Sequence, residues 1–223
     1  MATSYSPKVN TVGLVFYLDA ANPKSYPRTG TIWNDLSGNR INGTLTLGPT
    51  FNGADGGSIV FDGADDYVIC AGSITTSTGT FISWIKRNGT QAQFDGIVFS
   101  RSTNVTGINF YTSNQLGYHW NGAINTYEWP SGLTIPNSTW CMCAVSVAAS
   151  SATAYICQSS GITSAVNSVS HTSTVIDDIN IGRDEFSTRL FSGSVASAFI
   201  YNRALTSAEI GQIFNATRTR FGV

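Results

Sequence analysis

The sequence predicts an all-β domain closed by one short helix near its C-terminus. Three observations carry this. Only 11% of the 223 residues are charged, under half the usual share of a soluble domain, and polarity comes instead from 27 Ser, 26 Thr, 17 Asn and 22 Gly. Short apolar or alternating runs recur along the chain, separated by turn residues about every 8 to 14 positions, the spacing of a sandwich or barrel. Only one segment, beginning at Thr206, carries a complete helix signature.

The same composition excludes several classes. Hydrophobic residues make up 42% of the chain, too many for a disordered segment. A net charge of −1 with no Lys/Arg run lacks the electrostatic footprint of a nucleic-acid binder. No apolar run approaches the length of a membrane-spanning helix. The polar start Met1–Asn10 and the short apolar run Val12–Leu18 do not make a secretory signal peptide. Cys70, Cys141, Cys143 and Cys157 are expected as buried, reduced thiols, so the chain is expected to fold in a reducing cytosol. Cys141 and Cys143, two apart on a strand, share a face, and Cys143 with Cys157 is the one pair whose strands are candidate neighbours. His119 and His171 show no ligand spacing to any of them.

In chain order, residues 1–11 read as an extended arm and 12–223 as one domain. Strands are expected over Val12–Asp19, Ser58–Phe61, Asp66–Cys70, Thr80–Arg87, Gly96–Ser100, Gly107–Thr112, Leu116–Trp120 and Ile124–Trp129. Trp140–Val147, Thr153–Gln158, Ser164–Ser170, Asp178–Gly182 and Phe191–Asn202 complete the set. Alternation puts Phe81 and Ile85 on one face, with Ile82, Trp84 and Lys86 on the other. In Ser194–Tyr201 both faces are apolar, as in a central strand covered on both sides. With only Lys8, Lys24 and Lys86 in the chain, open edges lack their usual guard. They must be short, covered by loops or protected in an assembly. Thr206-Ser-Ala-Glu209 is a capping box, with Leu205 and Ile210 at the staple positions. Ile210, Ile213 and Phe214 form one apolar stripe over residues 207–217.

These residues also resemble a known family. Gly13–Ala20, Asn22-Pro23, Trp33–Asn39 and Gly43–Leu45 are similar to the opening of concanavalin A-like, laminin-G-type lectin/glucanase domains. Ser58–Val68, Phe81–Lys86, the strand opening at Trp140, Ile200–Ile210 and Phe214–Ala216 continue the likeness over residues 12–223. The resemblance implies a jelly-roll sandwich of two antiparallel sheets that binds carbohydrate or protein ligands. The Tyr201–Thr206 run and the Arg220-Phe221-Gly222 ending resemble domains of bacteriophage virion proteins and bacterial surface proteins.

Site chemistry points to binding rather than catalysis. Retaining glycosidases need two carboxylates about 5 Å apart, and Glu128, Glu185 and Glu209 lie in no such run. Glu209 serves the helix cap, and Asp184-Glu185 beside Arg183 falls in a turn with diverging side chains. Neither histidine carries a nucleophile signature, and His171 in its Ser/Thr tract is expected to be exposed. Sugar binding needs aromatic faces beside amide donors. Tyr118 and Trp120 share one strand face, Tyr127 and Trp129 the next, and an Asn121-Gly122 turn would set the pairs opposite each other. Tyr118, Trp120, Asn121, Asn125, Tyr127 and Trp129 are therefore the candidate carbohydrate site. The competing reading makes these rings core cross-strand pairs, and the segment from Tyr26 to Trp33 is read as packing.

Asp62, Asp65 and Asp66 in a Gly63-containing turn are candidate Ca²⁺ ligands, with Asp19 or Asp35 as additional donors. The alternative is that they cap the turn through backbone bonds. The Asn-x-Ser/Thr matches at Asn42, Asn88, Asn104, Asn137 and Asn215 are read as chance. The expected function is a non-enzymatic virion structural protein of a bacteriophage, a capsid decoration or tail component. It would assemble with itself and with capsid or tail proteins in the host cytoplasm, and hold host-surface glycans at its rim, with no nucleic-acid partner. A stand-alone bacterial carbohydrate-binding module is the second reading, and a glycoside hydrolase the third.

Overall fold

The computed structural model describes residues 8–185 and 188–223. Strands β1 (Leu14–Asp19), β2 (Ile32–Trp33), β3 (Gly43–Thr46), β4 (Thr50–Asn52) and β5 (Ser58–Asp62) come first. They are followed by β6 (Tyr67–Thr76), β7 (Gly79–Arg87), β8 (Gly96–Ser100), β9 (Thr106–Tyr111) and β10 (Gln115–His119). A single helical turn, α1 (Ile124–Tyr127), precedes β11 (Cys141–Val147), β12 (Ala152–Gln158), β13 (Gly161–Asn167), β14 (Thr174–Ile181) and β15 (Ser192–Tyr201). The helix α2 (Ser207–Thr217) closes the chain. One sheet runs β13-β12-β11-β7-β15-β5-β4, with β1 also on β15, and the other runs β10-β9-β8-β14-β6-β3-β2. All strand pairings between named strands are antiparallel.

The alternating runs fold as their periods require. Phe81 and Ile85 point between the sheets, while Ile82 and Trp84 point outward under α2. Strand β15 is buried on both faces, with Val195, Ala198 and Ile200 inward and Ala196, Phe199 and Tyr201 toward α2. On α2, Ile210, Ile213 and Phe214 are buried. Trp84 stacks on Phe221 at 4.2 Å and on Phe214 at 5.7 Å, and its Nε1 donates to Thr217 Oγ1 at 2.8 Å. Both capping-box bonds form, with Thr206 Oγ1 accepting from Glu209 N and Thr206 N donating to Glu209 Oε2. Arg203 grips the same carboxylate, and these contacts push the Glu209 carboxyl down to about 2. Of the expected arm, residues 1–7 lie outside the described residues. Asn10 bonds Glu209, and the Lys8 carbonyl accepts from Gln212.

Several expectations change. Ile124–Trp129 is not a strand. Asn121 and Gly122 both take positive φ, as a tight reversal requires, but the edge of β10 is occupied by the segment after Pro130. Leu116 N donates to the Leu133 carbonyl, and Gln115 bridges Thr134. With that edge taken, 124–127 closes a helical turn around Thr126, whose Oγ1 accepts from Trp120 N and donates to the Ala123 carbonyl. Strand β14 starts at Thr174, four residues earlier than expected. A bulge between Asp177 and Ile179, with Asp178 at φ 45°, breaks the alternation that marks a strand.

All four cysteines are buried and free. Met142 pairs with Cys157 and Cys143 with Ile156, so Cys143 and Cys157 point to opposite faces and cannot bond. Cys141 and Cys143 do share a face, with sulfurs 3.7 Å apart. His171 is buried rather than exposed, between the Tyr118 hydroxyl and the Ala148 carbonyl. Tyr26 and Trp33 are buried packing, as read.

The account of α2 makes a ranking testable by urea denaturation. Trp84→Ala, which removes both stacks, should cost about 3–5 kcal/mol, and Thr206→Ala, which removes one cap bond, about 1 kcal/mol. The reverse ranking would mean that capping rather than packing holds the helix.

Candidate functional site: a cleft over His119

Strand alternation on β10 sends Leu116, Tyr118 and Trp120 into the core and His119 to the outer face of the seven-stranded sheet. There His119 sits in an aromatic box. Phe94 and Phe99 meet it edge-on at 5.3 and 4.9 Å, and Tyr127 of α1 stacks on it at 5.2 Å. The ring is only 5% exposed, and neither nitrogen has a hydrogen-bond partner among the described residues. Burial, then the charges of Arg101 and Arg189, push its pKa down to about 3. The imidazole is therefore neutral, with one ring nitrogen a donor and the other an acceptor.

Phe94 reaches the box from a loop pinned to β9: Phe94 N donates to the Phe110 carbonyl and Phe110 N to the Asp95 carbonyl. Phe94 holds φ at 72°, an uncommon conformation for a bulky residue and one that clusters at functional sites. Asp184 is fully buried between two arginines, Arg101 Nη2 at 2.9 Å and Arg189 Nη1 at 2.8 Å from Oδ2. Glu185 is exposed, so the two neighbouring carboxylates diverge as expected. Gly96 explains the placement, because a Cβ there would lie 2.1 Å from the Arg183 carbonyl carbon. Only glycine lets the 183–184 backbone lie against β8. The two guanidiniums lie over Phe99 and Phe94, at 5.5 and 4.8 Å.

The result is a cleft of about 320 Å³ lined by Phe94, Arg101, Val105, His119, Gly122, Tyr127 and Arg189. Its lining offers aromatic surface, guanidinium groups and a neutral donor–acceptor ring. Next to it, Asp95 Oδ1 and Asn109 Nδ2 are also buried without partners among the described residues, and burial pushes Asp95 up to about 6. A buried polar atom left unsatisfied costs about 1–3 kcal/mol, so several in one place require an explanation.

The sequence-predicted residues are divided by the structure. Tyr118 and Trp120 are 1% exposed and belong to the core. Tyr118 bonds His171 and Asn167, and Trp120 Nε1 donates to the Thr172 carbonyl. The proposed hairpin platform does not form. Tyr127 lines the cleft, while Asn125 and half-buried Trp129 border a separate, open depression beside Ile124 and Glu128. Asn121 is spent on Thr172 and Ser173. For His119, alternation opposite Tyr118 and Trp120 was a readable signal. For Arg101 no local signal exists, because 83 residues separate it from Asp184.

Asp62, Asp65 and Asp66 do converge, with one oxygen from each within 4.8 Å of the others. Two of them serve the turn: Asp62 Oδ1 accepts from Ala64 N and Asp66 Oδ2 from Asp62 N. Burial pushes the Asp66 carboxyl up. Asp19 is paired with Arg220, and Asp35 caps the backbone of Tyr17, Ser37 and Ile41.

Fold and cleft together define a two-sheet lectin-type sandwich with a helix on one outer face. The chain belongs to the concanavalin A-like lectin/glucanases superfamily, whose family pattern it matches over residues 62–211. No curated protein matches it in sequence. Among solved structures it is similar to domain 4 of AbnA, a GH43 extracellular arabinanase from Geobacillus stearothermophilus, in complex with arabinotriose. That likeness has 18% identity and a TM-score of 0.67, over 91% of this chain and 98% of that one. It is similar also to a Trypanosoma rangeli sialidase in complex with sialic acid, at 14% identity and a TM-score of 0.63, over 95% of this chain. The chain spans about a third of that sialidase's length, covering 34% of it. A third likeness is to the binding domain of Paraclostridial Mosquitocidal Protein 1, at 15% identity and a TM-score of 0.57, over 93% of this chain and 52% of that one. At these identities the shared property is the fold.

Two measurements check the site. His119→Phe keeps the aromatic box and removes two unsatisfied atoms, so it should raise unfolding free energy by about 1–3 kcal/mol. It should also change the acid limb. A folded pKa of about 3, below the ordinary 6.5, means that the unfolded chain binds the proton first. Stability is then lost as pH falls through 6.5 toward 3, by up to roughly 1.4 kcal/mol per pH unit. The variant should lack that share of the loss, and a parallel pH profile would contradict the assignment. For the aspartate turn, millimolar Ca²⁺ or a chelator should leave Tm unchanged, whereas saturable stabilisation by Ca²⁺ would make it a metal site.

Proposed function

We propose that the chain is a non-catalytic glycan-recognition domain and that the cleft over His119 is its sugar site. The observation that carries this is the pair of buried ring nitrogens, unpartnered among the described residues, beside a cleft walled by Phe94 and Tyr127. Sugar hydroxyls both donate and accept, as a neutral imidazole does, and pyranose faces pack on aromatic rings. A related fold in complex with arabinotriose supports the choice of ligand class.

Against catalysis, the lining among the described residues contains no carboxylate, whereas most glycoside hydrolases use a pair of them. Glu128 and Glu185 are exposed on separate loops, and Glu209 is held by Arg203 and Thr206. We propose recognition without a metal, the aspartate turn serving the backbone.

The finer reading is a bacteriophage virion component, partnered by capsid or tail proteins. It is favoured by one observation, that no charged residue lies between Glu128 and Asp177, so the exposed positions of that stretch carry no electrostatic protection against assembly. Its presence among structural proteins of purified particles, by mass spectrometry, is the result this reading expects, and absence from particles would refute it.

A glycan array tests the recognition function. Wild-type protein should give reproducible hits, unchanged by chelator, that Tyr127→Ala and His119→Phe reduce at least tenfold. An array without hits would refute glycan recognition. Release of reducing sugar from a bound glycan would refute the non-catalytic assignment.

A further inference from the structure

Each sheet edge is protected except one. Strands β2 and β4 are two and three residues long. The edge of β10 is covered by 131–135, through Leu116 N to the Leu133 carbonyl and Ser131 Oγ to the Leu116 carbonyl. The outer edge of β1 is capped by the 35–39 loop, where Asp35, Leu36, Ser37 and Asn39 satisfy Val15 and Tyr17. Strand β13 is seven residues long, and its first six residues are not buried. No hydrogen bond from the described residues reaches its outer edge. Ile162 is 43% and Val166 58% exposed. An open, uncharged edge of this length is a pairing template.

We propose that β13 pairs with the β13 of a second copy of this chain, antiparallel about a two-fold axis at Ser164. Three observations select this partner. The strands β12 and β13 are joined by the two-residue turn Ser159-Ser160, with Gln158 opposite Gly161. In such a hairpin the flanking pair is hydrogen-bonded, so Thr163 and Ala165 also bond inward to β12. Ile162, Ser164 and Val166 therefore turn their N–H and C=O groups outward. The sequence around Ser164 is self-complementary: with Ser164 opposite its own copy, each Ile162 faces the partner's Val166. A two-fold interface requires that matching. Finally, the stretch from 129 to 176 contains no charge, so like surfaces meet without repulsion.

The pairing forms about six hydrogen bonds between copies and joins the two larger sheets into one. Ile162, Ser164 and Val166 lie opposite Cys157, Tyr155 and Thr153, on the face that carries α2, so the two apolar pairs extend the layer beneath the helix. The cleft over His119 belongs to the other sheet and stays open, giving a bivalent particle. An interface this small is weak and dimerises in the micromolar range or above.

Sedimentation velocity over a concentration series tests this on the intact protein. Wild type should show a reversible monomer–dimer equilibrium. Ser164→Lys, which sets like charges directly opposite across the axis, should weaken it roughly tenfold or more while leaving far-UV spectrum and Tm unchanged. Ile162→Lys/Val166→Lys and Ile162→Glu/Val166→Glu chains should each be monomeric alone and form a mixed dimer together, which a merely structural effect would not restore. A wild-type chain that stays monomeric to about 1 mM, dimers that persist in Ser164→Lys, or no rescue on mixing would overturn the proposal.

Discussion

The structure depends on strand β15 being buried on both faces. Its inward residues fix the spacing to the seven-stranded sheet, and its outward residues, with Trp84, Met142 and Tyr155, make the bed for α2. A strand so placed has no solvent for its backbone, and every polar group around it needs a partner. The hydroxyl-rich composition supplies these partners. Ser83 Oγ donates to the Ser197 carbonyl, Thr80 Oγ1 to the Arg203 carbonyl and Ser146 Oγ to the Leu205 carbonyl. Short side chains that donate without charge suit a layer too dry for lysine or glutamate.

Against that economy the outer face of the other sheet stands apart. Where the β15 layer spends its polar atoms, the neighbourhood of His119 leaves four without a partner among the described residues, on His119, Asp95 and Asn109. The box also holds a bulky residue in left-handed backbone and a carboxylate buried between two arginines. Such costs persist where surrounding structure enforces them and where function uses them.

How much of this was legible in the sequence follows from how local each signal is. The helix boundaries, its cap and its stripe were readable, because capping and i, i+3, i+4 spacing act within one turn. So was the two-sided burial of 194–201, since period two is a property of the strand itself. Ile124–Trp129 misled because its β-branched and aromatic residues favour a strand, while the edge it needed had been taken by Leu133 and Thr134. His171 misled because its partners, Tyr118 and Ala148, are distant in sequence. The cleft was half legible: Tyr127 was named and His119 lay on the readable outer face. The arginine–aspartate group arises from loops that meet only after the sheet has formed.

The central proposal is that His119, neutral and without a partner among the described residues, takes its partner from a hydroxyl-bearing ligand. Long-range ¹H–¹⁵N NMR of its ring nitrogens, recorded across pH and then with a glycan that binds, measures this directly. The account predicts nitrogen shifts of a single neutral tautomer that do not titrate near 6.5 and that move on saturation with the glycan. A ring that titrates at its ordinary pKa, or that is unmoved by bound glycan, would contradict it.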